Sequence, residues 1–153
     1  MQIEHAATIG ANPLEGRSAA VQAILVVAFA AGTTIGAQIE LPHQPVPYTL
    51  QTFFVLLAGA VLGGRNAALS LSLYLAAGAL GLPVFAHCSA GIARIAGPTG
   101  GYLLSFPVAA LVVSSIVNRN RGMFGLVGGM VCSLLIIFTL GTLQLGILYY
   151  HDV

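Results

Sequence analysis

The 153-residue chain is 58% hydrophobic and only 6% charged, with a mean hydropathy of +0.95, whereas a soluble domain carries roughly 25% charged residues to cover its surface; water is not its main solvent. It has no lysine, and five arginines against four carboxylates leave a formal net charge of +1, too weak a basic field to hold a phosphate backbone, which argues against nucleic acid as a partner. Cys88 and Cys132, the only cysteines, cannot build a disulfide framework.

Apolar segments of about 17–25 residues match what a bilayer core asks of a helix. Residues 1–17 form a polar leader without the basic start of a secretory signal, and residues 18–153 are expected to form a membrane-embedded bundle. Ser18 to Ala37 is the first predicted span, Pro47 to Gly64 the second and Ala67 to Ala86 the third. Only Arg65 and Asn66 separate the last two, which predicts a tight helical hairpin. Gly101 to Val117 is the fourth span; after the polar turn Asn118 to Arg121, Gly122 to Tyr150 is a fifth that exceeds the bilayer and must tilt or kink. The fold class expected is therefore all-α, a polytopic transmembrane bundle of about five spans.

Short loops rich in arginine mark the cytoplasmic side. Arg17, Arg65, Arg119 and Arg121 all face inside if the N-terminus does, and Arg94 alone falls in an outer connection. Both outer connections depart from lipid-facing helix. The first contains Pro42, Pro45 and Pro47, which hold it extended. The second, from Pro83 to Gly101, is rich in glycine and would leave backbone amides unpaired unless it lined a protein cavity. Together they are expected to cap one end of the bundle, with a small-molecule site between them.

Catalysis has little to work with. Glu40 is the sole acid between Arg17 and Asp152, so no carboxylate pair exists there, and Gly97 to Gly101 lacks the lysine of a nucleotide-binding loop. His43, His87 and Cys88 offer an outer-face metal site as an alternative, without the spacing of a helix-borne zinc motif. The expectation is a protein that is not an enzyme, needs no cofactor or resident metal, and recognises a small, largely apolar molecule. The polar groups placed to contact it are Tyr48, Gln51, Ser89, Arg94, Thr99 and Tyr102, with Arg94 available to a ligand carboxylate. Ala28, Gly32 and Gly36 repeat at four-residue spacing in the first span, a stripe that lets another helix approach and is the candidate face for a separate subunit.

Several segments, in order and spacing, resemble one family. Gly36-Ala-Gln-Ile39, Pro45-Val-Pro-Tyr-Thr-Leu-Gln-Thr52, Gly81-Leu-Pro-Val-Phe-Ala86 and Gly97-Pro-Thr-Gly-Gly-Tyr-Leu103 are similar to the BioY proteins, from about Thr33 to Phe106. The resemblance implies a biotin-binding S component of an energy-coupling factor (ECF) transporter in the plasma membrane, working alone or with a transmembrane T protein and two ATPase subunits. By that analogy the first helix docks the T protein and the loops close over biotin at the outer face. Three departures accompany it. His87-Cys88 stand where the family has a Gly-Gly pair, with Ser89 at the polar position that follows. Leu103 replaces a basic residue that some members use for the biotin carboxylate, leaving Arg94 for that role. The family's sixth helix has no counterpart after Tyr150, so the alternative is a truncated, non-transporting member.

Overall fold

The computed structural model describes residues 14, 16–41 and 46–151; most of the leader, the Pro42 to Pro45 stretch with His43, and Asp152 lie outside the described residues. Helix α1 spans Ala19–Gln38. Its first turn is capped by Ser18, whose Oγ accepts from Val21 N–H at 3.4 Å, satisfying one of the donors a helix start leaves open. Two short strands follow, β1 (Glu40–Leu41) and β2 (Tyr48–Thr49), antiparallel with Glu40 opposite Thr49. Helices α2 (Gln51–Leu62) and α3 (Gly64–Ala79) come next. A turn of 3-10 helix at Ala86–Cys88 leads to the short α4 (Ile92–Ala96), and the long α5 (Gly100–Arg119) and α6 (Met123–His151) complete the chain.

The five expected apolar segments are the five long helices, but two are shorter than expected. The hairpin turn falls at Gly63, not at Arg65-Asn66, because Gly63 takes φ +76°, a left-handed conformation that costs a residue with a Cβ about 1–2 kcal/mol. Arg65 and Asn66 instead open α3, and Asn66, 4% exposed, donates to Gln22 Oε1 on α1 at 3.3 Å. The third span ends at Ala79, where Gly81 at φ +103° and then Pro83 break the helix. At 1.5 Å per residue α2 and α3 reach only about 18 and 24 Å, less than a hydrocarbon core of about 30 Å. Among the described residues, three helices are long and apolar enough to cross: α1, α5 and, within α6, Met123–Leu148.

Lipid leaves little hydrophobic drive between helices, so close approach and interhelical hydrogen bonds hold the bundle. α5 lies at its centre, packed on α2, α3 and α6. At Gly59 a Cβ would stand 2.7 Å from Ala110 O and 2.9 Å from Val113 Cβ, so only glycine lets α2 come this near to α5. Ser70 Oγ donates to Val26 O at 2.7 Å and Ser133 Oγ to Ala109 O at 2.8 Å, tying α3 to α1 and α6 to α5. On α1, Ile24, Val27 and Ile35 point outward, as lipid-facing side chains do.

The α1 stripe is used differently from expectation. Cβ atoms at Gly32 and Gly36 would lie 2.9 and 2.7 Å from the Phe54 ring, so these glycines seat the chain's own α2. Of the three residues assigned to a partner, only Ala28 is exposed. Helix directions then gather the end of α1, the starts of α2 and α5, and the ends of α3 and α6 at one pole of the bundle. Arg17, Arg65, Arg119 and Arg121 sit on helix ends at the other.

Candidate functional site

At that first pole the structure holds a cavity of about 340 Å³, within the range of roughly 300–1,000 Å³ usual for small-molecule sites. Its walls are mostly apolar, from Phe85, Leu103, Phe106, Ile137 and Phe138. Five of the six residues selected from the sequence line it: Tyr48, Gln51, Arg94, Thr99 and Tyr102. Gln51, the first residue of α2, is 5% exposed, and its side-chain amide has no hydrogen-bond partner among the described residues. Among the described residues the fully buried side-chain polar atoms left without a partner are Glu40 Oε2 and the Tyr74 hydroxyl; the Gln51 amide is instead open to the cavity that it lines.

Ser89 does not line the cavity; it holds Arg94. Arg94 Nε donates to Ser89 Oγ at 2.8 Å and its Nη2 to Ala86 O at 3.4 Å, which orients the guanidinium. Thr99 Oγ1 in turn donates to Arg94 O at 3.3 Å. The turn that supplies Ser89 and Ala86 is closed on itself, with Phe85 N–H donating to Ser89 O at 3.1 Å and Ser89 Oγ to Ala86 O at 2.6 Å.

That turn is also strained. His87 and Cys88 take φ values of +60° and +50°, conformations that favour glycine, at the two positions where the BioY resemblance leads one to expect a Gly-Gly pair. Two contacts, one from the last residue of α1 and one from β1, accompany the strain. His87 Nε2 lies 2.9 Å from Glu40 Oε1, and Cys88 N–H donates to Gln38 Oε1 at 3.0 Å. Among the described residues no three histidines, cysteines or acids gather as a metal set, and His43 lies outside them.

Sequence reasoning missed the contribution of α6. Ile137, Phe138, Thr142 and Leu145 line the cavity, and Phe138 meets Tyr102 edge-on at 6.2 Å between ring centres. Gln144 Nε2 donates to Ile95 O at 3.1 Å and Gly97 O at 2.9 Å, keying α6 to the connection that carries Arg94 and Thr99. A signal was present: polar residues such as Thr142 and Gln144 within an apolar span mark functional positions. Phe85 was also missed. It packs on Gly78 and edge-on to Tyr74 at 5.5 Å.

An apolar-walled cavity at one pole of a membrane-embedded helix bundle, with one oriented cation and one amide on its lining, defines a multi-pass membrane protein that binds a small amphiphilic molecule. The chain belongs to the BioY family, whose pattern it matches over residues 8–153. It is 47% identical over 122 residues to a probable biotin transporter BioY of Pyrococcus horikoshii, spanning 80% of this chain and 72% of that one. To the biotin transporter BioY of Thermotoga maritima it is 40% identical over 125 residues, 82% and 73% of the two chains. In fold it is similar to the crystal structure of the S component for biotin from an ECF-type ABC transporter, with a TM-score of 0.77 at 22% identity over 84% of this chain and 72% of that one.

Proposed function

We propose that this protein is the S component of a biotin transporter, capturing biotin unchanged in the cavity at the outer face of the plasma membrane. The observation that carries the reading is the chamber itself: about 340 Å³, apolar-walled, with Arg94 and Gln51 as its polar fittings. Biotin has a matching division of chemistry. Its fused thiophane ring and aliphatic chain suit the aromatic walls, its carboxylate suits a guanidinium already oriented by Ser89 and Ala86, and its ureido group suits a buried amide. Tyr48, Thr99 and Tyr102 complete the contact set.

The arginine distribution supports an N-terminus inside and the cavity outside, since four arginines lie on helix ends at the opposite pole. The energy for import comes from partners, an ECF T protein with its ATPase subunits. The exposed side of α1 around Ala28 is the surface offered to the T protein, because Gly32 and Gly36 are occupied by Phe54. Calorimetric titration of biotin and desthiobiotin into detergent-purified protein, beside Arg94→Ala, tests the reading. Saturable binding weakened about tenfold or more by the variant is expected, since a hydrogen bond to a charged group is worth about 1.5–3 kcal/mol. A folded sample that binds neither ligand overturns it.

A further inference from the structure

Arg94 sits on a five-residue helix, too short to hold itself, and its guanidinium is oriented by the 85–89 turn. What fixes that turn is a side chain far away in sequence. Gln38, the last residue of α1, donates from Nε2 to Phe85 O at 3.1 Å and accepts at Oε1 from Cys88 N–H at 3.0 Å and Cys88 Sγ at 3.3 Å. One amide thus grips the turn on both sides of His87, in the only orientation that satisfies a carbonyl and an N–H together. Glu40, two residues on, adds the contact to His87 Nε2. On its far side the same turn presents Ala86 O and Ser89 Oγ to Arg94.

We infer that Gln38 is a positioning residue for ligand recognition: by clamping the 85–89 turn it holds the Arg94 guanidinium toward the carboxylate of the bound molecule. The inference rests on the reading of Arg94 as the carboxylate partner. Without the clamp, two left-handed residues that are not glycine lose the contacts that offset their strain, the turn relaxes, and Ser89 and Ala86 no longer hold Nε and Nη2 in one place. Arg94 remains present but is not oriented before binding.

The test uses the full chain in detergent, with Gln38→Leu and the milder Gln38→Glu, which keeps an acceptor for Cys88 N–H and loses the donor to Phe85 O. Two readouts are taken. In the absence of ligand, the rate at which phenylglyoxal modifies Arg94 is followed by mass spectrometry, with Arg65 and Arg119 as internal controls; it is expected to rise several-fold in both variants while the controls stay constant. In titrations, affinity for biotin is expected to fall roughly tenfold, affinity for biotin methyl ester to change little, and Gln38→Leu to have no further effect in an Arg94→Ala background. An unchanged Arg94 reactivity, or an equal loss for acid and ester, overturns the inference and leaves Gln38 a general packing residue. Faster Arg94 modification in a protein that binds neither molecule supports the clamp and refutes the biotin reading instead.

Discussion

Replacing Gly78 with alanine is expected to damage ligand binding from a position that does not line the cavity. A methyl group there would lie 2.5 Å from Phe85 Cε1 and Cε2, and nearer still to Cζ, where carbon atoms need about 3.5–4.0 Å. The ring must therefore withdraw by ~1 Å or more. Phe85 is 2% exposed, and its backbone is pinned on both sides, by Ser89 O and by the Gln38 amide. The open direction is the cavity that Phe85 lines. Overpacking of this kind costs about 1–3 kcal/mol. If the ring relieves it by swinging inward, the ligand has to push it back, and the cost reappears as roughly 5- to 150-fold in Kd. Biotin titration and thermal unfolding in detergent would be measured for Gly78→Ala, Phe85→Leu and the double variant. The slimmer leucine should accommodate the methyl group, so the double variant should bind better than Gly78→Ala alone. A Gly78→Ala protein with unchanged Kd and melting temperature, or a double variant no better than the single, would refute this account of the wall.

Gly36→Leu is expected to lower the melting temperature and biotin binding together, because a Cβ there would lie 3.0 Å from Leu50 O as well as on Phe54; lost uptake with intact binding would instead return Gly36 to a docking face. Gln51→Leu should weaken biotin about tenfold while leaving the apo protein about as stable, since the amide lines the cavity and holds no other part of the described fold; a destabilised apo protein with an unchanged Kd would argue against that role. Ser133→Ala removes the hydrogen bond to Ala109 O and is expected to cost ~1 kcal/mol or less in reversible unfolding, with biotin affinity unchanged in the same titration.

The long apolar runs, the pole at which the cavity lies and most of the polar residues that line it were legible because each depends on local chemistry. Spans follow from hydropathy, and Pro- or Gly-rich connections cannot face lipid unpaired. The hairpin turn was misplaced by two residues for a related reason. Arg65 and Asn66 look like a turn by polarity, but the chain reverses where a positive φ is cheapest, at Gly63, and α3 then buries Asn66 against Gln22. The α1 stripe shows the opposite weakness. Small residues announce a close approach without naming the neighbour, and that neighbour is Phe54 of the same chain.

The amino-acid sequence by itself determined that this is a membrane-embedded helical protein and that Arg94 is the one arginine set apart from the other four, since composition and charge placement are properties of the linear chain. Tertiary structure alone decided that Ser89 serves Arg94 and does not line the cavity, that α6 adds Phe138 and Thr142 to the cavity wall and is keyed by Gln144 to the connection before α5, and that Gln38 reaches the 85–89 turn. The last two relations join residues some 50 positions apart, and only the packing of helices brings such groups within hydrogen-bonding distance.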